Sequence, residues 1–168
     1  YLDLIPSNVN LAGAEIELLN IENREYVLHN EIEKIKDNYD FIIIDCPPSL
    51  NMLTVNAMTT ASTVLVPIQC EYYALEGLNQ VLKTVELVRK KLNPQLELEG
   101  VVFTMYDART NLSLQVVESV KSNLNQTIYK TIIPRNVRLA EAPSHGKSIN
   151  LYDTRSTAVS YTHLTLPT

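Results

Sequence analysis

The chain has 168 residues, is 45% hydrophobic and 20% charged, and carries a net charge of -5, the balance of one ordinary globular domain with a sizeable core. That charge argues against a protein coated in nucleic acid, although a net value hides local patches. Residues 1–40 hold nine acids and three bases, whereas residues 101–155 hold four acids and seven bases, so acidic and basic surfaces come from different stretches. Cys46 and Cys70 sit in no metal or disulfide spacing and read as two reduced core thiols. With no run of about 18 apolar residues and no basic, apolar opening over residues 1–20, the expected location is cytoplasmic.

In chain order, Asp3 to Pro6 reads as the end of a strand. Ile21 to Asp37 reads as a polar helix with Leu28, Ile32 and Ile35 on one face. Phe41 to Ile44 is apolar at every position, the pattern of a strand covered on both faces in a parallel sheet. Val64 to Pro67 is a second such strand. The helix predicted over Leu75 to Leu92 aligns Leu78, Val81, Leu82, Val85 and Leu92, and its basic end, Arg89 to Lys91, suits the helix dipole. A strand over Leu98 to Met105, a helix over Leu112 to Leu124 and a strand over Thr127 to Ile133, stopped by Pro134, complete the alternation. Strands and helices in that order imply a three-layer α/β fold with a mainly parallel sheet.

Both ends break the pattern. The chain opens on a strand with no lead-in. Its close, residues 157–168, has no helical stripe and no caps, and reads like out-of-frame coding where a helix is expected.

In open α/β sheets, ligands bind beyond the carboxyl ends of the strands. Phe41–Ile44 leads into Asp45, then Cys46-Pro47-Pro48-Ser49. A carboxylate after four buried apolar residues is costly unless something positive meets it. Asp45 therefore reads either as a metal-holding acid or as the cap of a helix starting near Asn51. A glycine-rich phosphate loop is missing. The chain has four glycines, and Gly146-Lys147-Ser148 lacks the glycine needed five positions earlier, where Glu141 stands.

Four blocks now become specific: Phe-Ile-Ile-Ile-Asp-Cys-Pro-Pro-Ser-Leu (41–50), Gln-Cys-Glu-Tyr-Tyr-Ala-Leu-Glu-Gly-Leu (69–78), Thr-Met-Tyr-Asp-Ala-Arg-Thr-Asn (104–111) and Ile-Pro-Arg-Asn-Val-Arg-Leu-Ala-Glu-Ala-Pro-Ser-His-Gly-Lys (133–147). Together with Leu-Ala-Gly-Ala-Glu-Ile-Glu-Leu (11–18), they resemble the Soj branch of the ParA partitioning ATPases, in order, from about Leu2 to Ser156.

The resemblance implies the SIMIBI-type P-loop NTPase architecture, with residues 1–156 as a partial, N-terminally truncated ParA-type ATPase domain and residues 157–168 as an atypical tail. It implies an ATPase using ATP and Mg²⁺, and an ATP-dependent homodimer that binds DNA without sequence preference. Hydrolysis stimulated by a ParB-type centromere-binding protein would then release it from the nucleoid. By the same resemblance, Asp45 is the Walker B partner of Mg²⁺, through water. Thr104, Met105, Pro134, Arg135 and Asn136 border the nucleotide base, and Arg109 and Arg138 bind DNA. The family's signature lysine, its Mg²⁺-binding threonine and its water-positioning aspartate fall before the start of this chain. The chain alone is therefore expected neither to bind ATP tightly nor to hydrolyse it.

Simpler readings stand beside these. Arg109 and Arg138 could be solvated loop cations, and Arg135 could pair with Glu141 along a helical turn. His145 reads as structural, and Tyr72 and Tyr73 as core and helix entry. Lys83 and Arg89 to Lys91 read as a solvated face. A non-enzymatic truncated module competing for DNA or for a full-length partner is the alternative function. A nitrogenase iron-protein relative would need cysteines placed to hold a bridging cluster, which Cys46 and Cys70 are not. Residues 157–168 do not read as the amphipathic membrane helix that ends the related MinD ATPases, so no membrane partner is expected.

Overall fold

The computed structural model describes residues 2–47 and 49–159. By contacts the chain forms two compact units, one running to Val64 and including Lys83–Glu97, the other comprising Leu65–Leu82 and the residues from Leu98 on.

The sheet has three strands in the order β1 (Thr63–Gln69), β2 (Glu97–Tyr106), β3 (Ile128–Pro134). β2 and β3 are parallel, with Val101 opposite Ile128 and Tyr106 opposite Pro134. The Glu97 amide donates to the Ser62 carbonyl at 3.0 Å and the Cys70 amide to the Thr104 carbonyl at 3.1 Å. Residue numbers rise in the same direction along both strands, so β1 is parallel to β2 as well. The helices are α1 (Ala14–Glu17), α2 (Val27–Ile32), α3 (Met52–Thr60), α4 (Ala74–Lys91), α5 (Asn111–Asn123), α6 (Val137–Glu141) and α7 (Ile149–Tyr152). The fold is the α/β class with a parallel sheet that the alternating pattern predicts. No helix among the described residues is long and apolar enough to cross a membrane.

In the first unit, Ala57, Met58, Val85, Val88 and Leu96 are buried. Asn51 caps α3, its side chain accepting from the Thr54 amide at 3.1 Å. Buried Asn56 on α3 accepts from the Leu28 amide and donates to the carbonyls of Arg24 and Met52. The Asn93 amide group reaches back to the Met58 and Ala61 carbonyls near the end of α3. Helix ends leave such carbonyls without intrahelical donors, so this side chain supplies what the helix cannot.

In the second unit, Val66, Ile68, Cys70, Leu78, Val101, Phe103, Val116, Val117 and Val120 are buried. Burying a side chain such as Phe103 contributes about 1.5–3 kcal/mol. Gly100 is required by its neighbours, since a Cβ there would sit 2.8 Å from a Tyr129 ring carbon and 3.0 Å from the Thr127 carbonyl oxygen.

Several expectations fail. Phe41–Ile44 is not a strand, and Phe41 and Ile43 are 87% and 91% exposed. Asp3 to Pro6 is not a strand either, with Leu4 and Ile5 exposed. An apolar run becomes a buried strand only where neighbouring strands take its backbone groups, and the three-stranded sheet includes neither segment. The helix expected over residues 21–37 is broken into a 3-10 turn at Arg24–Tyr26, α2, and a 3-10 turn at Lys36–Asn38, following Asn23 in the left-handed conformation (φ 55°). Cys46 is exposed rather than in the core, whereas Cys70 is buried. The expected tail is helical at 157–159, where Ala158 and Val159 are buried; its remainder lies outside the described residues.

Candidate functional site

The carboxyl ends of β2 and β3 carry most of the expected site residues. The register slips between Phe103/Ile132 and Tyr106/Pro134, where three residue steps on β2 face two on β3. Met105 lies in that bulge at φ 54°, a left-handed conformation that costs a side-chain-bearing residue about 1–2 kcal/mol. Bulges and such strain concentrate at sheet ends next to binding sites, where they re-aim a side chain. Thr104 is tied down beside it, its hydroxyl donating to the Ile68 carbonyl at 3.2 Å. The Arg135 amide donates to the Tyr106 carbonyl at 2.8 Å, fixing the turn after Pro134 against the end of β2.

Asn136 caps α6. Its Oδ1 accepts from the amides of Arg138 and Leu139, and its Nδ2 donates to the hydroxyls of Ser156 and Thr157. Two lone-pair directions and two N–H groups are thereby used, the full capacity of the amide. Asn136 thus shapes the turn at the sheet end through its cap, with no side-chain polar atom left to read a ligand.

Arg109 and Arg138 are both exposed and both held by carboxylates. Arg109 donates to Asp107 from Nε (2.9 Å), from Nη2 (2.7 Å) and from its backbone amide (3.0 Å). The Arg109 hydrogen bonds, and the nearby charges of Arg109 and Arg135, hold the Asp107 carboxyl down at about 2. Arg138 donates from Nη1 to Glu141 at 2.9 Å, with Asp153 3.8 Å from its Nε. The Tyr152 hydroxyl donates to the same Glu141 oxygen at 3.2 Å. Glu141 therefore pairs with Arg138 and not with Arg135. His145 stacks on Tyr152 with ring centres 4.9 Å apart, in keeping with a structural role. Tyr72 and Tyr73 are not core residues; they are 78% and 73% exposed and meet edge to face at 5.1 Å.

Asp45 lies in the other unit, exposed, after the irregular segment 41–44. It does not cap α3, which Asn51 does. No group of three or more His, Cys, Asp or Glu that could hold a metal occurs among the described residues. One exposed carboxylate is no cage for a metal, but it suits Mg²⁺, which keeps several waters and takes other oxygens from phosphates.

A family model described as an AAA domain matches residues 1–98, more than half of the chain. The sporulation initiation inhibitor protein Soj of Bacillus subtilis is 61% identical over 155 residues, 92% of this chain and 61% of that protein. The chromosome partitioning protein ParA of Myxococcus xanthus is 51% identical over 93% of this chain and 55% of its own length. The chain belongs to this AAA-domain family and is of its ParA/Soj type. It spans about three fifths of the length of these curated relatives. Among solved structures, cobyrinic acid a,c-diamide synthase from Mycobacterium smegmatis, with a bound ATP analog and magnesium, is 37% identical. It matches with a TM-score of 0.73 over 89% of this chain and 63% of that one.

Sequence reasoning missed Asp107. An Asp two residues before Arg109 and three before the helix-capping Thr110 is a turn signature, so a signal was there to read.

Proposed function

We propose that this chain belongs to an ATP-driven DNA-partitioning ATPase and forms the base-binding and DNA-binding part of its cycle. What supports this above all is the strained bulge at Met105, set against the turn after Pro134 at the carboxyl ends of two parallel strands. An open α/β sheet takes its ligand there. Thr104, Met105 and Pro134, with the backbone around Arg135 and Asn136, border the adenine. Asp45 meets Mg²⁺ through water, and Mg²⁺ supplies charge neutralisation on the phosphates. The phosphate cradle is not among these 168 residues, and we expect the chain alone to show neither tight ATP binding nor turnover. In the whole protein, ATP drives homodimerisation. The dimer binds DNA non-specifically through Arg109 and Arg138 in the cytoplasm, on the nucleoid, and a ParB-type centromere-binding partner triggers hydrolysis and release. The relatives named for chromosome partitioning support this reading.

Photoaffinity labelling of the intact protein with 8-azido-ATP tests it. The reading expects labelled peptides spanning residues 104–106 or 134–136, suppressed by excess ATP. Saturable labelling confined to other segments sinks it.

A further inference from the structure

Arg109 stands just before α5, 87% exposed at its side chain, while its partner Asp107 is 20% exposed. The carboxylate grips one edge of the guanidinium, Nε and Nη2, in a two-pronged fork, and also accepts the Arg109 backbone amide. A guanidinium has five N–H donors. Two are used, so the two of Nη1 and the second of Nη2 remain on the outer, solvent-facing edge. That edge is the one that binds a phosphate with two parallel hydrogen bonds.

The turn beneath is itself fixed. The Asp107 amide donates to the Ser113 hydroxyl at 3.2 Å, the Thr110 amide and hydroxyl donate to the Asp107 carbonyl, and Thr110 caps α5. Ser113 is buried. None of these bonds uses the Asp107 carboxylate, whose hydrogen bonds among the described residues come from Arg109, two from the guanidinium and one from the backbone amide. Its placement therefore braces the Arg109 backbone and orients the Arg109 guanidinium, while the α5 cap is made by Thr110.

We propose that Asp107 is a positioning residue for DNA binding: it holds one edge of Arg109 so that the opposite edge faces a backbone phosphate in a single orientation. The proposal rests on the reading that Arg109 contacts DNA. It carries a sign that plain electrostatics does not. Removing a carboxylate beside a DNA-binding surface ought to tighten binding by relieving repulsion. Yet Asp107 has already restricted a long side chain that otherwise loses its rotamer freedom on binding. Repulsion across an exposed guanidinium is screened by salt, and Arg135 lies close enough to act on the same carboxylate. Loss of orientation dominates, and affinity falls.

The test is non-specific duplex DNA binding by the intact protein with ATP and Mg²⁺, over a range of salt, for wild type, Asp107→Ala, Asp107→Glu, Arg109→Ala and the Asp107→Ala/Arg109→Ala double variant. Asp107→Ala is expected to weaken binding about five- to tenfold and to lower the slope of log affinity against log salt by about one, the loss of one phosphate contact. Asp107→Glu, which restores a carboxylate, should recover part of the affinity. The double variant should bind about as weakly as Arg109→Ala, because once the guanidinium is gone the carboxylate has no side chain left to orient and keeps only its hydrogen bond to the residue 109 backbone amide. Unchanged or tighter binding by Asp107→Ala, with Arg109→Ala weakened, overturns the positioning role while leaving the DNA reading intact. Wild-type binding by Arg109→Ala overturns both. If Asp107→Ala does not fold, the comparison passes to Asp107→Asn and Asp107→Glu. Equal binding by those two overturns the proposal, and weaker binding by Asp107→Asn supports it.

Discussion

Replacing Asn56 with alanine should cost the first unit far more than one surface amide would. The side chain is 4% exposed and makes three hydrogen bonds, to the Leu28 amide at 3.1 Å, the Arg24 carbonyl at 2.9 Å and the Met52 carbonyl at 3.1 Å. The Leu28 amide lies in the first turn of α2, where no intrahelical acceptor exists. Alanine leaves that donor and the Arg24 carbonyl without their partner. Each fully buried unsatisfied group costs about 1–3 kcal/mol; both groups are only part-buried, so the expected loss is in the lower part of the summed range, about 2–4 kcal/mol, against a total stability of about 5–15 kcal/mol. Urea denaturation should show a lower midpoint, and Tm should fall by roughly 5–15 °C. Hydrogen exchange should speed most at the Leu28 amide. Asn56→Asp keeps the acceptor and loses the donors, so it should retain slow exchange at Leu28 while still losing stability. A loss under about 0.5 kcal/mol for Asn56→Ala, the range of an ordinary surface change, would mean that water replaces the Asn56 hydrogen bonds at no cost.

Three further outcomes follow from the same structure. Gly100→Ala should destabilise by about 1–3 kcal/mol, because the new methyl meets the Tyr129 ring and the Thr127 carbonyl oxygen; thermal melts check it, and a neutral result contradicts the packing. Met105→Gly should leave stability almost unchanged, since relief of about 1–2 kcal/mol of left-handed strain offsets the lost side chain and added chain freedom; the same melts should show it, while nucleotide affinity of the intact protein falls. The Asp107 carboxyl sits below its ordinary value, at about 2. Its contribution to the folded state is therefore present above the unfolded value near 3.8 and is lost only as pH falls through about 2. Carboxyl NMR should find Asp107 ionised at pH 4, and midpoint titration near 4 contradicts the Arg109 fork.

The three strands and the longer helices were readable because each carries a period that packing alone explains. Leu78 and Val85 of α4 are buried as their spacing predicts, and Val88 joins them. Phe41–Ile44 misled because four apolar residues indicate burial only when strands lie on either side, a non-local condition absent from the run itself. Tyr72 and Tyr73 misled for the opposite reason, since aromatic rings beside a helix entry look like core whichever way they point. The strain at Met105 is invisible in sequence, methionine having no preference for left-handed backbone. Of the expected site, the residues at the ends of β2 and β3 do gather at those ends. What sequence left out is how they are held: Asn136 spends its side chain on a cap, and each of the two arginines is gripped by carboxylates.

A partitioning cycle requires that nucleotide state control DNA binding. The most direct measurement is titration of non-specific duplex DNA with the intact protein in ATP, in ADP and without nucleotide, at several salt concentrations. Tight, salt-sensitive, dimer-dependent binding is expected with ATP and not with ADP or without nucleotide, lost when Arg109 and Arg138 are both replaced by alanine. Equal DNA binding in all three nucleotide states, or binding indifferent to those two arginines, would contradict it.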